Sequence, residues 1–196
     1  MAEFYMRLGQ AEKAIESARR VVAATGDADG SLKKEIVRTY LRLGKYDEAD
    51  KEYAGLAPME SKDVDVLLLK ADTKLARGDQ ATARAVLDDA VARFSQIERA
   101  YNVRGMFFLS VTREYREAVA DFTKSLSING LQPGVLTSMA RAYVALQMPD
   151  QALAALKQLA FMAPANAGAR RTYLANLLDL GRLEVAVQDG EELLKL

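Results

Sequence analysis

The sequence predicts an all-α solenoid in which one helix hairpin is repeated about five and a half times. Three observations predict this fold: a periodic alanine, a glycine in the turn before it, and aromatic residues one helical turn earlier. The alanine recurs every 34 or 35 residues, at Ala14, Ala49, Ala83, Ala118, Ala152 and Ala186. A unit of this length is too short to bury its own apolar face, so successive copies must stack.

The turn of each hairpin is marked by a residue that precedes the periodic alanine. A glycine stands five residues before it in four copies, at Gly9, Gly44, Gly78 and Gly181. Gln147 takes this place in the fifth copy, and we assign Thr112 to it in the fourth, where residues 111–115 carry one extra residue. Glycine suits the left-handed conformation that commonly ends a helix. We therefore expect a first helix of about fourteen residues to end here and a second to begin two residues later.

Side chains on both helices fit this hairpin. The first helices carry the aromatics Tyr5, Tyr40, Phe108 and Tyr143, and the small residues Ala71, Gly105 and Ala140. On the second helices, the position four residues after the alanine holds Tyr53, Leu87, Phe122 and Leu156. A methyl group between the two axes allows close approach, and the larger side chains fill the space around it. The prolines mark boundaries, because Pro58 and Pro164 follow second helices, Pro133 opens a first helix and Pro149 opens a second.

Composition excludes several function classes. Lysine plus arginine equals aspartate plus glutamate, 27 of each, so no overall field favours nucleic acid or an anionic membrane. The absence of cysteine and histidine removes disulfides and the usual zinc, haem and iron–sulfur ligands. The longest apolar runs are too short to span a bilayer, so direct membrane insertion is not expected.

We predict a single domain over residues 1–196. It contains a partial repeat at 1–29 and repeats at 30–62, 63–97, 98–132, 133–166 and 167–196. The first nine residues resemble the last turns of a helix, and the final residues continue an apolar helical pattern. We expect a segment of a longer protein, with any targeting signal outside it.

The combined pattern resembles the tetratricopeptide-repeat (TPR) family over the whole chain. The best copy joins residues 100–105 to residues 115–126, and residues 43–49 and 150–164 are nearly as good. The resemblance implies a right-handed superhelix of antiparallel helix pairs, with a concave face lined by the first helices. It also implies a non-catalytic scaffold that holds other proteins, and the alanine-rich composition resembles bacterial members.

The exposed stripe of the first helices is the candidate binding surface. The stripe begins with a basic ridge, in which Lys34, Arg38 and Arg42 are spaced four residues apart. It also includes Asp65, Leu68 and Asp179. The proposed contact residues are Lys34, Arg38, Arg42, Asp72, Arg99, Asn102, Met106, Thr137, Ser138, Arg141 and Arg171. Arginine forks suit an acidic peptide or protein partner. The alternative is a solvated helix face that only keeps the solenoid soluble.

One known TPR groove grips a C-terminal carboxylate with lysines, asparagines and an arginine. Lys34 and Arg99 fall at plausible places for it, but Arg38, Leu69 and Val103 stand where asparagine, asparagine and arginine would be needed. A clamp of that chaperone type is not expected.

Nothing in the sequence predicts catalysis, a metal or a cofactor. The acidic residues Asp63, Asp65, Asp72, Asp88, Asp89, Glu191 and Glu192 are better explained by capping and solubility than by acid catalysis or calcium. No phosphate-binding glycine loop or nucleophile elbow occurs, and no histidine is present to activate a hydroxyl.

The apolar residues of the last helix predict a contact surface apart from the first-helix stripe. Leu183, Val187, Leu193, Leu194 and Leu196 would form a partly uncovered apolar surface, whereas the end copy of a solenoid normally has a polar outer face. Further copies in a parent chain or another molecule would cover it.

Two rival functions stay open: self-association or spacing within an envelope, secretion or exopolysaccharide-export protein, and a regulatory array fused to an enzyme. The compartment, bacterial cytoplasm or periplasm, stays open.

Overall fold

The computed structural model describes residues 10–163 and 165–195, and all regular structure in these ranges is helical. The predictions for Tyr5, Gly9, Pro164 and Leu196 lie outside the described residues. Over the described ranges no helix combines the length and the apolar character required to cross a membrane. The all-α class predicted from the sequence is confirmed.

Two compact units make up the fold, and the division falls between Phe94 and Ser95. The first contains α1 (Ala11–Thr25), α2 (Ser31–Arg42), α3 (Tyr46–Ala54), a 3-10 turn (Ala57–Met59), α4 (Val64–Ala76) and α5 (Gln80–Arg93). The second contains α6 (Glu98–Phe107), a π-helical turn (Phe108–Thr112), α7 (Tyr115–Ile128), α8 (Pro133–Ala145), α9 (Pro149–Met162), α10 (Ala167–Asp179) and α11 (Leu183–Leu193).

Sequential helix hairpins build both units. First helices pair with second helices as α2 with α3 and α4 with α5, and then as α6 with α7, α8 with α9 and α10 with α11. All six periodic alanines are buried, with at most 7% of the residue exposed. The prediction that hairpins nest around a methyl-sized contact is therefore confirmed.

Two helices approach each other closely at Gly105 of α6. A Cβ atom placed there would lie 2.7 Å from Cε1 of Phe122 on α7, a distance that real Cβ atoms do not show. Phe122 is fully buried. A side chain at position 105 would push the two helices apart, which explains the glycine in this copy.

The turn of each hairpin has one residue with positive φ. Gly44, Gly78 and Gly181 have φ of 70°, 79° and 70°, and Arg113 and Gln147 both have φ of 58°. The assignment of Thr112 to this position was wrong, because Arg113 holds it. The extra residue of this copy is taken up earlier, in the π-helical turn Phe108–Thr112, so the turn keeps its spacing to Ala118.

Polar side chains link equivalent places in consecutive hairpins. Lys45 contacts Glu12 at 2.6 Å across 33 residues, and Arg182 pairs with Asp150 across 32. Inside the second unit, Arg104 makes a bidentate pair with the buried Asp121, with both nitrogen–oxygen distances at 2.8 Å. Separations close to the repeat length, as in the first two pairs, are what stacked copies require.

Three prolines stand where the sequence places them. Pro133 and Pro149 are the first residues of α8 and α9, and Pro58 lies in the 3-10 turn after α3. A first-turn N–H has no acceptor within the helix, so proline costs nothing there.

The apolar surface predicted on α11 is partly confirmed. Leu183, Val187 and Leu194 are 62%, 56% and 84% exposed. Leu193 was wrongly included, because it is buried in a cluster with Tyr173 and Leu177. It faces α10 since it lies seven residues, about two turns, after the buried Ala186.

Candidate protein-binding faces

In the first unit, three predicted residues line one cavity. Arg38 and Arg42 of α2 and Asp72 of α4 surround about 400 Å³ together with Leu41. Arg38 and Arg42 are one turn apart on α2, so the i, i+4 spacing brings both guanidinium groups to the same side. Leu68, which the predicted stripe also included, is buried in the core of this unit and was placed wrongly.

The basic ridge of α2 is partly neutralised within its own unit. The Nζ of Lys34 lies 2.7 Å from Oδ2 of Asp63, and Arg38 pairs with Glu35 at 2.5 Å. Burial alone would raise the pKa of Asp63, but the hydrogen bonds from Lys34 and from the Asp65 N–H outweigh it and lower that pKa. Lys34 therefore supports the start of α4 and is not a free cation on the surface.

In the second unit, three further predicted residues line a cavity of about 430 Å³, which we call the α6–α8 cavity. Its walls come from Asn102 and Met106 of α6, Phe122 of α7, and Gln132, Pro133, Gly134, Val135 and Ser138 at the start of α8. Most of these side chains are apolar. Ser138 is buried, contrary to its predicted place on an exposed stripe, and its hydroxyl donates to the Gly134 carbonyl at 3.0 Å.

A hydrogen-bond network fixes the polar wall of the α6–α8 cavity. Gln132 donates through Nε2 to the Asn129 carbonyl at 2.6 Å and to the Ser125 hydroxyl at 2.9 Å. Its Oε1 accepts from Nδ2 of Asn102 at 2.6 Å. The other end of the Asn102 amide, Oδ1, is buried and has no hydrogen-bond partner among the described residues. Buried polar atoms without a partner are rare and costly, by about 1–3 kcal/mol.

The remaining predicted residues of this unit are exposed on its first helices. Arg99 lies three residues before Asn102 on α6, and Thr137 and Arg141 share one side of α8. Arg171 is exposed on α10. Arg141 and Arg171 form no ion pair with any residue that the structure describes. Their charges face solvent, whereas Lys34 and Arg38 are matched by carboxylates.

The acidic residues act as structural groups where contacts are seen. Asp63 is the N-cap of α4 and accepts from the Asp65 N–H, and Asp89 pairs with Arg93 on α5. Within residues 10–163 and 165–195, no group of three or more acidic side chains is arranged to hold a metal ion.

Comparison with solved structures identifies the fold. A thermophilic TPR protein of Thermus thermophilus, TTC0263, superposes with a TM-score of 0.70 at 20% identity, covering 90% of this chain and 95% of the other. Two crystal structures of MamA give TM-scores of 0.61 and 0.63 at 17% and 18% identity, covering 86% and 84% of this chain and 97% and 90% of theirs. The chain has the TPR fold. No protein-family model and no curated protein matches the sequence.

Sequence reasoning missed part of the lining of the α6–α8 cavity in this TPR fold. Gln132, Pro133, Gly134 and Val135 were not proposed as contact residues, yet they form the α8 side of the cavity. Pro133 gave the available signal, because it marks the start of a first helix and so places its neighbours beside the preceding first helix. Nothing in the sequence shows that Gln132 holds the Asn102 amide.

Proposed function

We propose that the chain is a non-catalytic scaffold that binds an acidic peptide or protein on the exposed first-helix faces of its repeats. The TPR fold is generally a protein-interaction scaffold, and that expectation supports the proposal. The observation that carries it is the grouping of predicted contact residues: Arg38, Arg42 and Asp72 around one cavity, and Asn102, Met106 and Ser138 around another.

The second unit offers two exposed cations that no acid of the described residues matches. Arg141 and Arg171 pair with no described residue, so a partner carboxylate meets them without displacing an existing acid. In the first unit, a partner has to compete with Glu35 for Arg38 and with Asp63 for Lys34. Rigid hairpins hold these groups in place, so little ordering cost falls on the scaffold.

Charge reversal tests the proposal. Peptides selected from a random display library on the wild-type chain should be acidic, and their affinity should fall at least about tenfold in the double variant Arg141→Glu, Arg171→Glu. The double variant Arg116→Glu, Lys124→Glu makes the same charge change on α7, a second helix where both residues are exposed, and should bind as wild type. Arg38→Gln should weaken binding by less than about threefold.

Affinity measured by calorimetry decides the outcome, with circular dichroism to confirm that helix content is unchanged. Selection of peptides without acidic residues, or equal weakening by the α7 control, would remove the proposed function.

A second candidate is self-association through α11. The exposed side chains of Leu183 and Val187 on α11, and of Leu194 directly after it, favour this candidate, because large exposed apolar groups that lie together mark contact surfaces. Sedimentation at increasing concentration should then show growth in mass that the double variant Leu183→Glu, Val187→Glu abolishes. A monomer at all concentrations contradicts this candidate and leaves the first one intact.

A further inference from the structure

One stripe of α9 carries the contact with the hairpin that follows it. Its members share one side of the helix, and they are Asp150, Leu153, Lys157 and Ala160. The α10–α11 hairpin engages all of them. Asp150 pairs with Arg182 in the turn after α10, and Lys157 lies 3.0 Å from Asp189 of α11. The two apolar members are buried in a cluster with α10 side chains.

The first unit repeats this arrangement on α1. Glu12 contacts Lys45 in the turn after α2, and Arg19 pairs with Glu52 of α3. Between them, Ile15 is buried in a core cluster with α2 side chains. In both units the stripe is therefore the surface on which the next first helix packs, and a basic residue just after that helix meets the first acid of the stripe.

The equivalent stripe of α11 is exposed. We call it the α11 end stripe, and it consists of Glu184, Val187, Glu191 and Leu194. Neither of its carboxylates forms an ion pair with a residue that the structure describes. Where α9 has Lys157, α11 has Glu191, so the α11 end stripe carries two negative charges and no positive one. Its apolar and its acidic groups both lack the contacts that the α9 stripe makes.

The packing of α10 shows which kind of helix fits such a stripe. α10 contributes Tyr173 and Leu177 to the cluster on α9, and Arg182 follows in the turn, where it reaches the first acid of the α9 stripe. A helix on the α11 end stripe therefore needs an apolar face for Val187 and Leu194 and a basic residue just after its end. The charge of Glu191 adds a second preference for a basic partner.

A second copy of this chain does not meet these requirements. In the register of consecutive hairpins it would present Gln10 where the basic residue is needed and Ser17 opposite Glu191, and both are uncharged. Its own α10 is not available, because Tyr173 and Leu177 are buried in its core. Both acids of the α11 end stripe would then lose water without gaining a cation, which is costly.

We propose that the α11 end stripe binds an amphipathic helix of another protein, with the apolar face of that helix on Val187 and Leu194. A basic residue after its last turn pairs with Glu184. This inference does not depend on the acidic partner of the first-helix faces, because α11 is a second helix and its stripe has the opposite charge. Self-association would instead place a second copy on the same surface.

The sequence of residues 166–182 supplies the probe, because it contains α10 and Arg182. A blocked peptide of this sequence, labelled at its N-terminus, is titrated with the chain and followed by fluorescence anisotropy, and it should bind to saturation. Arg182→Glu in the peptide should weaken binding about threefold. Glu184→Arg in the chain should weaken the unchanged peptide by a similar factor and restore the affinity of the Arg182→Glu peptide.

A substitution at the apolar part of the stripe locates the site. Val187→Asp should lower the affinity of the unchanged peptide at least about tenfold, because binding would bury a carboxylate against an apolar face. Val144→Asp makes the same change at an exposed valine of α8 and should bind as wild type. Circular dichroism checks that both variants keep their helix content.

The outcomes distinguish the possible occupants. Failure of the unchanged peptide to bind, or of Glu184→Arg to restore the Arg182→Glu peptide, overturns the basic helix. If the chain instead grows in mass with concentration and Val187→Asp abolishes that growth, a second copy occupies the stripe and the proposal is wrong. The proposed function is decided separately, by the affinity of the library-selected acidic peptides for Arg141→Glu, Arg171→Glu.

Discussion

In the first unit, Lys34 and Arg38 of α2 are paired with carboxylates of that unit, whereas in the second unit Arg141 of α8 and Arg171 of α10 pair with no described residue. All four lie on first helices, and the sequence alone treats them as equivalent. The difference comes from acids a helix turn or a repeat away, such as Asp63, which lies 29 residues after Lys34. A basic residue at a given repeat position is therefore available to a partner only when neighbouring copies leave its charge unmatched.

The two units also differ in how deeply they bury a similar polar network. In the first, Tyr53 donates to Glu60 at 2.7 Å and Lys70 contacts the same carboxylate at 3.0 Å. In the second, Tyr173 donates to Asp189, and Lys157 lies 3.0 Å from Oδ1 of that carboxylate. The Glu60 side chain is 21% exposed and the Asp189 side chain only 5%. Burial of the carboxylate should set the cost of losing each network.

The largest expected effect is therefore on Asp189. Asp189→Ala should lower the free energy of unfolding by about 2–3 kcal/mol, because it leaves the buried Tyr173 hydroxyl without an acceptor. Glu60→Ala should cost about 1 kcal/mol, since water reaches the more exposed groups around it. Urea titrations followed by circular dichroism measure both values. Glu192→Ala, exposed on the same helix as Asp189, is the control and should stay within about 0.5 kcal/mol of wild type.

The stability that the Asp189 network contributes depends on pH. Burial alone would raise the pKa of Asp189, but hydrogen bonds from Tyr173 and Lys157 outweigh it and hold that pKa below its usual range. A lowered pKa in the folded state adds stability that is complete above the ordinary carboxyl pKa and is lost as the pH falls through the folded value. The difference between wild type and Asp189→Ala should shrink over that acid range. Equal costs at Asp189 and Glu60 would show that burial does not distinguish the two networks. A cost of Asp189→Ala that does not change with pH would show that the ionised Asp189 carboxylate adds no stability.

The periodic parts of the fold were predictable from the sequence. The alanine column, the prolines at helix boundaries and the buried small residues follow from one repeated packing problem, so each copy supports the others. Events confined to one copy were not predictable. The extra residue near Thr112 can be absorbed at several places, and only packing selects the π-helical turn that puts Arg113 at the positive-φ position.

The candidate site was predictable to the level of helix faces. Helical spacing brought Asn102 and Met106 into one cavity, but it also placed the buried Leu68 and Ser138 on an exposed stripe. Pairing of Lys34 with Asp63 depends on contacts across most of a repeat, which a single helix face does not reveal. Opposite charges about one repeat apart, such as Arg19 and Glu52, are a signal that a search at the repeat period would find.

The smallest expected effect concerns the hairpin turns, where the first unit has Gly44 and Gly78 at the positive-φ positions and the second has Arg113 and Gln147 at two of them. Gly44→Ala and Gly78→Ala should each destabilise by about 1 kcal/mol, and only through backbone conformation, because a Cβ at either position meets nothing within 4 Å. Arg113→Gly and Gln147→Gly should stabilise by about 0.5 kcal/mol, since relief of the left-handed strain is partly offset by the greater freedom of glycine in the unfolded chain. Gly134→Ala, within α8, separates this effect from helix propensity and should be neutral or slightly stabilising. Thermal unfolding measures the stability of all five variants. A loss of stability in Arg113→Gly or Gln147→Gly would contradict this expectation, because the Arg113 and Gln147 side chains, and not the backbone, would then hold those turns of the second unit.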